Sequence, residues 1–178
     1  MTRVMVLGLL SQYGPMSGYE IQQKMQSAQT DKWAYVQPAS IYHALKKLDK
    51  EQFVILDTLE RTGNRSKAIY SITEKGKMEF ERLLIKSFEK SSVIFPTALY
   101  TALTFMENAN TKEILKALDT QKQIIEKIYE DMKIGQEEKS RIMEIPQNVM
   151  MIFNNIYAQC EMQLKFIADM KKELKLNI

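Results

Sequence analysis

The sequence predicts a mainly α-helical chain with a small β-wing. An N-terminal winged helix-turn-helix domain over residues 1–88 is followed by a C-terminal helical dimerisation domain over residues 89–178. Three observations predict this. From Pro38 to Leu48, the apolar residues Ile41, Ala44, Leu45 and Leu48 recur at helical spacing, and Ser40, Tyr42, His43, Lys46 and Lys47 fill the opposite face. Two short alternating runs follow, Phe53 to Leu56 and Ala68 to Ile72. They are separated by Arg61-Thr62-Gly63-Asn64-Arg65-Ser66-Lys67, which reads as a hairpin with a cationic turn. Lastly, Val149, Phe153, Ile156, Cys160, Leu164, Ile167, Met170 and Leu174 step by three and four residues along one long helix.

Taken in order, Thr2 to Ser11 is apolar on most faces, with Val4, Leu7, Leu9 and Leu10, and reads as a largely buried first helix that Gly14-Pro15 breaks. Ser17 with Glu20 three residues on is a capping box for a second helix running through Ile21 and Met25 to about Ser27. Residues 28–36, with Trp33, Tyr35 and Val36, read as a loop or short strand. Pro38 suits the first turn of the third helix, where its missing N–H has no partner in any case. That helix ends near Glu51, with Gln52 where a glycine often stands. Thr73 caps a helix from Glu74 to about Lys86 with Phe80, Leu83 and Leu84 inward and Phe88 just past its end, and Pro96 marks the junction that follows. Beyond it come a short helix over residues 96–107, a helix over 112–133, a loop over 134–140 containing Gly135, and a last helix from Pro146 to about Leu174. Its broad apolar face predicts a partner subunit, since two or three helices of one chain do not easily cover it. Val149, Phe153, Ile156, Cys160, Leu164, Ile167 and Met170 are the expected dimer interface.

The net charge of +3 is unevenly placed. Residues 1–90 hold 14 Lys/Arg against 10 Asp/Glu, a surplus of +4, and the remainder carries −1. Cys160 is the only cysteine, so no intramolecular disulfide forms. Together with the apolar but short N-terminal run, this predicts a cytoplasmic protein with no membrane span. One cysteine and one histidine exclude the usual His/Cys zinc arrangements, so no metal site and no cofactor are expected. There is no Gly-rich phosphate loop, nucleophile elbow or His-centred dyad, which argues against an enzyme with catalytic residues.

The expected partner is double-stranded DNA. Gln37, Ala39, Ser40, Tyr42, His43, Lys46 and Lys47 on the third helix are candidate contacts, and Arg61, Asn64, Arg65 and Lys67 on the wing are candidates for backbone or minor groove. Plainer readings stand beside these: Tyr42 as packing between helix and wing, Lys46 and Lys47 as compensation of the helix dipole, and the wing cations as a solvated tip. Ser17 and Tyr19 could hold a phosphate at a helix N-terminus or serve as cap and core. Trp33 is a candidate for a ligand cavity or for ordinary core.

On these residues the chain resembles the PadR family of bacterial transcriptional regulators. The matching residues are Leu7-Gly8-Leu9-Leu10, Gly14-Pro15-Met16-Ser17-Gly18-Tyr19-Glu20, Ser40-Ile41-Tyr42 with Ala44-Leu45 and Leu48, then Gly63, Arg65, Lys67, Tyr70, Ile72-Thr73 and Gly76. The resemblance covers residues 4–84, and the C-terminal half is similar in length and helical pattern to the long-tailed branch. It implies a homodimer clasped by C-terminal helices, repression at an operator, and in some members release by a small-molecule effector. His43 stands where a proline is often found, and no proline follows Gly63. Two other classes remain open at this point, a winged-helix protein-interaction module and a small-molecule binding protein. The wing reading carries its own test. Arg65→Ala is expected to weaken binding to every duplex and to flatten the slope of log affinity against log salt by about 1. Unchanged affinity and slope would remove Arg65 from the contacts.

Overall fold

The computed structural model describes residues 1–28, 30, 34, 36–62, 65–89 and 91–176, and for 59–62, 65 and 66 the backbone alone. Two units divide at Val93/Ile94. In the first, α1 (Thr2–Tyr13), β1 (Met16–Ser17), α2 (Gly18–Ser27) and α3 (Pro38–Lys50) precede a hairpin, β2 (Val54–Thr62) and β3 (Arg65–Ile72), and then α4 (Glu74–Glu89). The second holds α5 (Thr97–Thr104), a 3₁₀ turn (Met106–Asn108), α6 (Thr111–Ile142) and α7 (Gln147–Leu176).

The apolar periodicity of the first three helices becomes one core. Val6, Leu7 and Leu10 of α1, Ile21 and Met25 of α2, and Ile41, Ala44, Leu45 and Leu48 of α3 are all buried together with Val54. Gly14 ends α1 at a φ of 82°, its N–H returning to the Leu10 carbonyl. At the end of α3, Gln52 takes φ 63°. Its N–H meets the Asp49 carbonyl at 2.9 Å, and the Phe53 N–H meets that of Leu48 at 2.9 Å. That double return is a Schellman closure, here made with a glutamine in the left-handed position. A feature not expected from the sequence is β1, two residues that pair antiparallel with β3 (Met16 opposite Tyr70, Ser17 opposite Ile69), giving the strand order β1-β3-β2. A bulge between Leu56 and Thr58 shifts the β2–β3 register.

Phe53 joins these elements. Its carbonyl accepts the Thr73 N–H at 3.1 Å and the Thr73 hydroxyl at 3.2 Å, while the same hydroxyl accepts the Gly76 N–H at 2.9 Å and so caps α4. A Cβ on Gly76 would lie 1.9 Å from the Phe53 carbonyl oxygen, so only glycine lets the first turn of α4 cross there. The Arg3 guanidinium is 5.5 Å from the Phe53 ring and pairs with Glu51 at 2.6 Å and Glu79 at 3.6 Å, tying α1 to α4 and to the residue that caps α3.

The capping box at α2 has both of its bonds. The Ser17 hydroxyl accepts the Glu20 N–H at 3.2 Å and donates to Glu20 Oε2 at 2.8 Å, and the Ser17 N–H donates to the same oxygen at 2.8 Å. The other carboxylate oxygen accepts from the Lys67 ammonium of β3 at 2.9 Å. The Ser17 N–H first, and then Lys67 and the Ser17 hydroxyl, hold the Glu20 carboxyl well below the ordinary 4.5, at about 2.

In the second unit, Asp119 pairs with Lys171, the Tyr129 hydroxyl donates to Glu161 at 2.9 Å, and the Tyr157 hydroxyl donates to Gln136 at 2.5 Å, so α6 and α7 run antiparallel. Two expectations are corrected. Residues 134–140 are helix, because strong helix formers surround the single Gly135 and Gln136 is anchored by Tyr157 and Met150, which outweighs a glycine cost of about 1 kcal/mol. Leu84 and Phe88 lie inside α4 but point outward, Phe88 being 84% exposed. The α7 stripe is largely accounted for within the unit: Phe153, Cys160, Ile167 and Met170 are buried, with Ile167 and Met170 packed around Leu118 of α6, and Val149, Ile156 and Leu164 are half-buried.

Gly76→Ala is expected to destabilise the protein by about 1–3 kcal/mol, measured as a lower urea midpoint with the same cooperativity. An unchanged midpoint would mean that the strand end yields freely. Because folding lowers the Glu20 pKa, its carboxylate stabilises the folded state above pH 4.5, and that contribution is lost as pH falls toward 2. Glu20→Gln should therefore unfold less steeply with acid across that window, and identical slopes in the two proteins would count against the assignment.

Candidate nucleic-acid interface

The burial of one side of α3 leaves the other free. Ala39, Tyr42, His43 and Lys46 stand at i, i+3, i+4 and i+7 and are all exposed, with Gln37 at the N-cap and Lys47 beside them also exposed. Ser40 is half-buried. Its hydroxyl donates to the Gln37 carbonyl at 2.6 Å and lies 3.5 Å from the Thr2 hydroxyl, so it faces α1 as much as solvent. The stripe therefore offers ring, imidazole and ammonium groups on a rigid support, which is the donor set that base edges and phosphates accept from.

Tyr42 is seated as well as exposed. A Cβ on Gly18 would come within 2.7 Å of the Tyr42 ring, and within 3.2 Å of Leu45, so the ring lies against the backbone at the start of α2. Even so, 46% of Tyr42 remains exposed, and its neighbour Tyr19 is 60% exposed. The packing partner seen among the described residues is the start of α2. Sequence reasoning missed Gly18 as the seat of this ring; the only signal was a glycine in the first turn of a capped helix.

Ser17 is corrected as a direct contact. It is 3% exposed and its hydroxyl is engaged with Glu20 on both sides, so it acts as a cap. Lys67 is half-buried and joins the wing strand to Glu20, a long-range tie that the local capping signal could not reveal. The backbones of Arg61 and Arg65 lie at the hairpin end, where Arg61 pairs with Ser66 and Thr62 with Arg65. Their side chains, together with Asn64 and Trp33, lie outside the described residues. Among the described residues no group of three His, Cys, Asp or Glu is placed to hold a metal ion, and no helix is long and apolar enough to cross a membrane.

Residues 6–82 match the family model described as the transcriptional regulator PadR-like family. Among curated proteins, none matches the sequence. The chain is similar to Bacillus subtilis PadR solved in complex with operator DNA, at 19% identity and a TM-score of 0.77 over 97% of this chain and 96% of that one. It is similar to the same regulator solved in complex with p-coumaric acid, at 19% identity and a TM-score of 0.76 over 97% and 98%. A PadR-like transcriptional regulator from Bacillus cereus gives 20% identity and a TM-score of 0.69 over 97% and 94%. At these identities the structural likeness establishes the fold, a winged helix with a helical second unit, and the family model speaks to the sequence. Over residues 6–82 the chain matches the family model of PadR-like transcriptional regulators, and the solved structures that share its fold include regulators of that name.

Proposed function

We propose that the chain is a homodimeric, sequence-specific repressor. Each α3 lies in a major groove and each hairpin end rests on the flanking backbone or minor groove. The observation that carries this reading is the exposed stripe Ala39, Tyr42, His43 and Lys46 on a helix whose other face is core. A relative of the same fold bound to operator DNA supports it. Half-sites one helical turn apart, about 34–36 Å between centres, follow from two-fold symmetry. Self-association is supported by apolar side chains that α6 and α7 leave outside their own seam, Ile124, Ile128, Met151, Ile152 and Met162, each at least 41% exposed. Release by a small molecule, through a shift between DNA-competent and incompetent dimers, is part of the proposal. The relative in complex with p-coumaric acid supports it.

The test is fluorescence anisotropy of the purified protein on the duplex upstream of its own gene, beside a scrambled duplex, across a salt series. Tight binding that prefers the native duplex and falls with salt is the expected result. Absence of binding even at low salt would replace this reading with a protein-interaction role for the winged helix.

A further inference from the structure

Among the described residues of the second unit, two hollows are of similar size and opposite chemistry. One, about 420 Å³, is lined by side chains such as Leu99, Leu103, Phe105 and Ile114, and no charged side chain lines it. The other, about 410 Å³, lies along the α6–α7 groove and has four lysines in its wall. Both fall in the size range of small-molecule sites, about 300–1,000 Å³.

The lysine-walled groove is polarised along its length. Its floor at one end is Leu164, Ile167 and Ala168, and Lys171, Lys172 and Lys175 of α7 follow at the other, with Lys122 contributed from α6. Leu164 to Lys175 spans about 16 Å at 1.5 Å per residue, so the hollow is long rather than round. The cationic end is organised: Lys171 is held by Asp119, and Lys122 by Glu126 at 3.3 Å. The Lys171 hydrogen bond, with the charges of Lys122 and Lys175 adding to it, holds the Asp119 carboxyl below its ordinary pKa. A second anion at this end would meet a cationic surplus, and the methylene stems of the lysines extend the apolar floor.

We propose that this groove binds a fatty carboxylate of medium chain length, its head group among Lys171, Lys172 and Lys175 and its chain over Ala168, Ile167 and Leu164. A compact inorganic anion would leave the apolar end uncovered. An uncharged chain would gain nothing from the lysines that outnumber the carboxylates paired with them, Asp119 and Glu126. The proposal goes beyond the DNA reading, and its binding measurement uses no DNA.

The experiment is calorimetric titration of the full-length chain with sodium decanoate below its micelle-forming concentration. Saturable binding is expected, at least ten-fold tighter than for decanol or the decyltrimethylammonium ion. Lys172→Gln combined with Lys175→Gln should weaken decanoate binding at least ten-fold, and the Lys172→Arg/Lys175→Arg pair should retain it. Both residues are exposed, so thermal unfolding midpoints are expected to stay at the wild-type value. Absence of saturable binding, equal affinity for decanol, or full affinity in the glutamine pair would each overturn the site. So would either of two other outcomes for the glutamine pair with decanoate affinity intact: weaker DNA binding, which would make the lysines phosphate contacts, or loss of self-association by sedimentation, which would make the groove an interface between copies.

Discussion

Much of the first unit depends on one crowded joint, the passage of α4 across the carbonyl of Phe53. That carbonyl takes both the backbone and the side chain of Thr73, and the glycine at position 76 passes where a methyl group would be 1.9 Å away. Three constraints converge there. The Schellman closure after Leu48 fixes where α3 stops, the Thr73 pairing fixes where β3 stops, and the cap fixes where α4 begins. Arg3 brings α1 to the same place through Glu51, Glu79 and the Phe53 ring. The exposed face of α3 is therefore oriented by contacts at its far end, away from the residues that would meet a partner.

The parts of the fold that were legible in the sequence were those written locally. Ile41, Ala44, Leu45 and Leu48 announced the buried face of α3 because a 3.6-residue period survives any tertiary context, and all four are buried. Ser17 with Glu20, Thr73, and Gln52 in place of glycine were likewise readable, since caps are set by residues within one turn. What was illegible depended on distance. The two residues of β1 are too few for an alternation, and the tie from Glu20 to Lys67 spans 47 positions. Gly135 looked like a break because Tyr157, which ties down the next residue, Gln136, lies on another helix. The outward side of α4 was misjudged at Leu84 because an apolar residue on a helix does not by itself reveal that a neighbour is there to cover it.

The candidate site divides the same way. The exposed positions of α3 followed from its period, whereas the state of individual side chains did not. Ser17 is consumed by its cap, Ser40 leans on its own helix start, and Lys67 is joined to a carboxylate. The four lysines of the second unit show the limit from the other direction. Lys171, Lys172 and Lys175 are close in sequence, but their relation to Lys122 and Asp119 exists only once two antiparallel helices meet.

The seating of Tyr42 on Gly18 has an entropic consequence. A large side chain that must be fixed when a partner arrives loses about 0.5–1.5 kcal/mol of rotational freedom. Tyr42 has surrendered most of that freedom already, because its ring lies against the backbone that begins α2. Any hydrogen bond made by its hydroxyl starts from an aligned group and forgoes the induced fit that a freely rotating tyrosine would allow. Position 18 thus sets how tolerant position 42 is of a partner that is slightly out of place.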